Sequence, residues 1–298
     1  MGVIFRKEPQ LENPELIAAW PGIGNIGLMA VDDLKGTVKA EYIAEIDPVD
    51  YFYPRSVSIR DSQLDDLEFP RSRFYYKRID ERDLLFFIGD EQPQDEEKIL
   101  QIANTVLDVA QHFGCRRVYT SGAAVALIHH TTNPRVWVVP NSRQLIKQFK
   151  WHDNAILMSE IEGKGGQGNI TGLNGLLLGV ARQRGMDGIC LLGEVPIYIS
   201  QFPVPYPKAS KVILEVLAMN LGMEADASRL DEMARGMDDN IQRFFERIPE
   251  EIRERIDQLK QVSHVEEQDH PGPITEEDKK TIMRDLEDFF RGGSDRIE

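Results

Sequence analysis

Two short runs constrain this chain more than any other feature. Residues 84–88 read LLFFI and residues 189–192 read ICLL, apolar at every position. Side chains alternate between the two faces of a strand, so strands of this kind need cover on both sides. That arises in the interior of a sheet with helices above and below it, as in α/β proteins. The run 16–20 (LIAAW) reads as a buried strand for the same reason.

Further strand-like runs recur at 41–46, 74–78, 117–121, 136–139 and 155–160. Helical patterns lie between them. Residues 96–113 place Ile99, Ile102, Ala103, Val106, Leu107 and Ala110 on one face, open on acids and stop at Gly114. Residues 173–184 and 208–221 read as helices ended by Gly185 and Gly222. This alternation predicts an α/β fold, a three-layer α/β/α sandwich with a mostly parallel sheet.

Beyond Gly222 the strands stop. Ser228-x-x-Asp231 has the form of a capping box before a helix carrying Leu230, Met233, Met237, Ile241 and Phe244. Pro249 can open a second helix. Residues 263–274 read as a linker before a last amphipathic helix with Ile282, Leu286 and Phe289. The division expected is an α/β domain over 1–224 and an acidic helical extension over 225–298. From 222 to 298 there are 22 acids against 12 Lys or Arg, −10 of the net −15.

That acidity repels phosphate backbones, so no nucleic-acid partner is expected. No apolar run approaches the ~20 residues that span a bilayer, so no membrane association is expected and the cytoplasm is the expected location. Cys115 and Cys190 suggest neither a disulfide framework nor a CxxC metal site.

The stretch PGIGNIG (21–27) sets Gly22, Gly24 and Gly27 at G-x-G-x-x-G spacing, with Glu45 and Asp47 ending the next strand. In a dinucleotide-binding unit such glycines make the turn, admit the pyrophosphate and seat the helix, while the acid holds the ribose. Against that, Pro21 stands between strand and first glycine, and later segments supply no partner for hydride chemistry. The same glycines serve a tight turn that packs a helix close on a sheet. Asn25 can hold that turn or reach into a pocket.

A second glycine segment, EGKGGQGNITGLNG (162–175), presents free N–H groups before a helix but lacks the Lys-Ser or Lys-Thr of a Walker loop. Gly172, Gly175 and Gly179 put small residues on one helix face. The segment YTSGAAVALIHH (119–130) runs from a strand into Gly122 and then His129-His130. Adjacent strand residues point apart, and no carboxylate or cysteine stands at a ligand spacing. The expectation is structural or surface histidines, with no metal. Glu194, in LLGEVPIY, sits just past a buried strand, where α/β proteins place functional groups. It can act as a base, hold a hydroxyl or pair with an arginine. Arg135 and Arg182 are of a type that binds phosphate, but no spacing selects them. Neither a G-x-S-x-G elbow nor an HExxH motif is present.

PGIGNIGLMAVDDL, YTSGAAVA, GQGNITGLNGLLLGVARQRGMDGICLLGEVP and PKASKVILEVLAMNLGME, in that order, resemble the proteasome assembly chaperone 2 family over residues 14–224. The resemblance implies a nucleoside-phosphorylase-like three-layer fold and homo-oligomers in prokaryotic members. In eukaryotic relatives it implies chaperoning of proteasome α-ring assembly. Archaeal relatives that dock on proteasomes end in a hydrophobic-Tyr-any residue tail; Arg296-Ile297-Glu298 lacks that tyrosine, so docking by such a tail is not expected. A phosphorylase-like fold does not bring phosphorylase chemistry with it.

The expected function is therefore a non-catalytic assembly chaperone or scaffold without cofactor. It would act as a homo-oligomer, a trimer, with proteasome subunits or another protein as partner. The alternative is a small-molecule enzyme or nucleotide- or nucleoside-binding protein. Its pocket would lie at the C-terminal strand ends, where Gly22, Gly24, Asn25, Gly122 and Glu194 converge. Residues expected in a pocket or subunit contact are Gly22, Gly24, Asn25, Gly27, Gly122, Asn174 and Glu194.

Overall fold

The strands are β1 (Val3–Phe5), β2 (Glu15–Ala19), β3 (Glu41–Ile46), β4 (Ser56–Arg60), β5 (Gln63–Glu68), β6 (Ser72–Ile79), β7 (Arg82–Gly89), β8 (Arg117–Ala126), β9 (Val136–Pro140), β10 (Ala155–Leu157) and β11 (Asp187–Pro196). Helices are α1 (Ile26–Thr37), α2 (Glu96–His112), α3 (Arg143–Gln148), α4 (Gly172–Gln183), α5 (Pro207–Leu221), α6 (Ser228–Phe245) and α7 (Glu250–Gln258). This is a computed structural model that describes residues 2–79, 82–161 and 168–261. The expected linker, the last amphipathic helix and Gly163, Gly165 and Gly166 lie outside the described residues.

Among the described residues one large sheet runs β1-β3-β6-β7-β2-β8-β11-β9-β10. Its four central strands, β7-β2-β8-β11, are mutually parallel. β6 joins β7 antiparallel on one flank, and β9 joins β11 antiparallel on the other. The apolar runs explain the layering. Leu84 and Phe86 enter the core beneath α1 and α5, while Leu85 and Phe87 enter the core beneath α2 and α4. Both faces of the sheet are thus covered, and the fold is the expected α/β sandwich. Each such side chain contributes about 1.5–3 kcal/mol by leaving water.

Local chemistry sets the helix ends. The Asp95 carboxylate accepts from the backbone N–H groups of Glu97 and Lys98 and so caps α2. Gly114, at φ +85°, supplies the left-handed turn that stops it. Helix α6 lies against α5, and Leu230, Ile241 and Phe245 join the core on the α1/α5 side, as do Ile252, Ile256 and Leu259.

Several expectations need correction. Ser228 is not the cap of α6 but its first residue; the Asp226 carboxylate accepts from the Ser228 N–H instead. The run 155–160 is a strand only to Leu157 and then turns into a 3-10 segment, Met158–Glu160. β8 and β11 pair without a slip for ten residues each, well past 121 and 192. Gly122 and Glu194 therefore lie inside strands, not in loops after them. The hairpin β4–β5 and the short α3 were not expected.

Candidate functional site

The glycine turn is built for packing. Gly27 begins the first turn of α1 directly on β8, where a Cβ on it would lie 2.3 Å from the Ser121 carbonyl oxygen. Gly24 has φ +61°, and a Cβ there would meet the Cβ of Tyr206 at 3.1 Å. The Tyr206 N–H donates to the Gly24 carbonyl at 2.9 Å. In the dinucleotide fingerprint the second glycine opens the way to pyrophosphate; here Tyr206 fills that place. Gly22 faces open space. Asn25 is left-handed at φ +48° and exposed, and its side chain makes no capping bond.

The two glycine segments are stitched together at the C-terminal edge of the sheet. Gln92, just beyond β7, donates from Nε2 to the Pro21 carbonyl and accepts at Oε1 from the Leu173 N–H. Asn174 donates from Nδ2 to the Ser121 carbonyl at 3.3 Å, pressed against Gly122, where a Cβ would lie 2.8 Å from that nitrogen. Gln92 was missed in the sequence. Its position one loop past a buried parallel strand was the available signal.

A cavity of about 470 Å³ opens beside this edge, at the ends of β2 and β7. Pro21, Leu28, Met29, Ile88 and Met233 give it apolar walls, and Asn25, Asp32, Arg55, Asp90 and Arg229 polar ones. Of the residues expected to converge there, Asn25 lines it; Gly22, Gly24, Gly122 and Glu194 do not.

Glu194 has a different setting. It is buried at 1% exposure and clasped by Arg135, whose backbone N–H donates to Oε2 at 2.9 Å and whose guanidinium donates to Oε1 at 3.2 and 3.0 Å. Trp137 donates from Nε1 to the same oxygen at 2.8 Å. Of the sequence readings for Glu194, the arginine pair is present, formed within the chain between β11 and the start of β9.

His129 and His130 follow β8 and are buried, not on the surface, with ring centroids 4.0 Å apart. The strand ends at Ala126, so the alternation that would separate them does not apply. Thr131 N–H donates to His129 Nδ1, which leaves Nε2 to carry the proton, 3.5 Å from Asp257 of α7. The Tyr198 hydroxyl accepts from the His130 N–H at 2.7 Å and lies 2.9 Å from His130 Nδ1. Burial, with Lys260 close by, pushes His129 down to about 4; burial and the adjacent His129 push His130 down to about 3. Both are neutral at pH 7. They line a cavity of about 140 Å³ closed by Phe245, Arg253, Asp257 and Lys260 of the helical extension. Among the described residues no group of three or more His, Cys, Asp or Glu could hold a metal ion. Cys115 and Cys190 are free and buried, and burial raises both thiols to about 12.

A central parallel sheet, helices on both faces and a glycine turn seated on β8 define a three-layer α/β sandwich protein with a cavity at its strand ends. The chain belongs to the PAC2 family, whose model matches residues 16–244. It is 29% identical over 246 residues to an uncharacterized protein of Methanocaldococcus jannaschii, covering 81% of this chain and 88% of that one. The crystal structure of Pyrococcus furiosus PbaB, an archaeal proteasome activator, superposes with a TM-score of 0.69 at 30% identity, over 81% of this chain and 97% of that one. A proteasome-assembly chaperone homologue from Mycobacterium tuberculosis shares the fold, with a TM-score of 0.62 at 23% identity over 79% of this chain and 96% of that one. No helix among the described residues is long and apolar enough to cross a membrane.

Proposed function

We propose that this protein is a non-catalytic assembly factor of the cytoplasm that acts as a homo-oligomer, a trimer, on proteasome subunits. The likeness to PbaB, an archaeal proteasome activator, over nearly the whole length of that chain supports action on proteasomes, and the shared fold of a proteasome-assembly chaperone homologue supports the assembly role. The site geometry supports it: Gly24 and Gly27 are spent on Tyr206 and Ser121, and Glu194 is spent on Arg135 and Trp137. The division into an α/β body (1–224) and a helical extension (225–298) is part of the proposal, the extension presenting negative charge to the partner. Affinity purification of the tagged full chain from its native host tests it. Recovery of proteasome subunits is the expected result; their absence from a purification that recovers other partners overturns it.

A second reading rests on the strand-end cavity. At about 470 Å³ it falls in the range of small-molecule sites, and it lies where open α/β sheets bind ligands. Thermal-shift screening with nucleosides, phosphate, ATP and NAD tests this. A stabilised fold is expected if a ligand binds; no shift at saturating concentrations removes the reading for those ligands.

A further inference from the structure

The β4–β5 hairpin stands apart from the main sheet as a two-stranded sheet of its own. Thirteen large apolar side chains are exposed among the described residues; six of them fall between positions 49 and 67, including the five most exposed. Four are on the hairpin: Val57 at 45%, Ile59 at 72%, Leu64 at 78% and Leu67 at 52%. The register pairs Val57 with Leu67 and Ile59 with Leu64, with a register shift between the two pairs that gives β5 one extra residue. Residues 57 and 59 are two apart and directly paired residues project to the same face, so the four share one face. The opposite face is polar and internally bonded: the Ser58 hydroxyl accepts from the Asp66 N–H, and Arg60 pairs with Asp65. Asp61 and Ser62 both take positive φ, +49° and +65°, in the two-residue turn whose twist suits a hairpin. The arm is thus well formed, with one apolar face.

A lone two-stranded hairpin is marginal in water, and among the described residues both outer edges of this one are unpaired. The edges differ in charge. Arg55 immediately precedes β4 and Arg60 ends it, whereas β5 carries Asp65, Asp66 and Glu68; within one copy Arg60 pairs with Asp65 and Arg55 with Glu91. Laid head to tail, the β4 edge of one copy, ending in Arg60, meets the acidic β5 edge of the next, and the free backbone groups of both are paired. A head-to-tail contact whose rotation closes makes a ring. Closure with the apolar faces inward removes every open edge and buries Val57, Ile59, Leu64 and Leu67 of each copy.

We propose that β4–β5 is the self-association arm of this protein, joining β4 of one copy to β5 of the next in a closed ring with the aliphatic face inside. This rests on the homo-oligomeric reading above and names the surface that would serve it.

Light scattering coupled to size-exclusion chromatography, with amide hydrogen exchange, tests the arm on the full chain at tens of micromolar. Wild type is expected to have the mass of three or more chains, with hairpin amides exchanging at least tenfold more slowly than exposed loops. The Ile59→Asp/Leu64→Asp variant is expected at one-chain mass with unchanged far-UV circular dichroism, and Ile59→Val at the wild-type mass. A wild-type monomer overturns both the homo-oligomeric reading and the arm. A wild-type oligomer with fast-exchanging hairpin amides, or one whose mass the double variant keeps, overturns the arm alone.

Discussion

Gly27 of α1 and Ser121 of β8 meet backbone to backbone: the space a Cβ would take at Gly27 is held by the Ser121 carbonyl, 2.3 Å away. That carbonyl also accepts from Asn174, so β8 cannot yield there without loosening α4. Gly27→Ala is therefore expected to destabilise the fold by about 1–3 kcal/mol, the cost of overpacking, despite alanine's better helix propensity. Gly36→Ala, in the same helix with nothing within 4 Å, is expected to stabilise by up to about 1 kcal/mol. Urea unfolding of the two variants against wild type checks the contrast in sign.

Glu194 binds three donor groups from two residues that lie 57 and 59 positions away. Removing the carboxylate strands a largely buried guanidinium and an indole N–H. Glu194→Ala is expected to cost about 3–5 kcal/mol, as for the broken half of a buried pair. Glu194→Gln keeps the shape and is expected to fall between. Chemical denaturation followed by tryptophan fluorescence measures both, since Trp137 reports the site directly.

His129 and His130 make stability depend on pH with a definite sign. Their folded values, about 4 and about 3, lie below the ordinary 6.5. Between about pH 4 and 6.5 the unfolded chain binds protons that the folded chain refuses, so stability falls as pH falls through that window. Each histidine adds up to about 1.4 kcal/mol per pH unit to the slope. Lys208, Lys260 and Asp257 face the pair and share in the response. The thermal midpoint is expected to drop from pH 6.5 to 4 in wild type and less steeply in His129→Asn/His130→Asn. Equal slopes would show that the pair does not govern the window.

Asn25 holds φ +48° with no side-chain bond to repay it. Asn25→Gly is expected to match or slightly exceed wild-type stability, and Asn25→Val to lose about 1–3 kcal/mol, because a β-branched residue resists the left-handed region. Urea midpoints decide this. If the strand-end cavity binds a ligand through Asn25, the glycine variant loses that ligand's thermal shift while keeping the fold.

The layers were legible because they rest on local patterns. LLFFI and ICLL announce strands with two buried faces, and the stripe from Ile99 to Ala110 announces a helix with one. Strand length was not legible. GAAVA, after Ser121, carries no strong strand preference, and it extends because β11 runs beside it for ten residues in register. Glu194 stood out in the sequence for its place beside a buried strand, but its partner Arg135 did not, because only the β9–β11 pairing brings it near. Of the two readings for the histidines, structural or surface, the sequence could not choose, because α7, more than 100 residues later, supplies their roof. The β4–β5 hairpin escaped notice because its apolar residues are exposed, so no burial pattern marks them.

Among the described residues the large sheet ends on each side in a strand of only three residues, β1 and β10. At about 3.3 Å per residue, each offers roughly 10 Å of open ladder, too short to template a stacked copy. Growth along the sheet is therefore blunted at both ends. A high concentration of folded protein should yield discrete particles, not filaments.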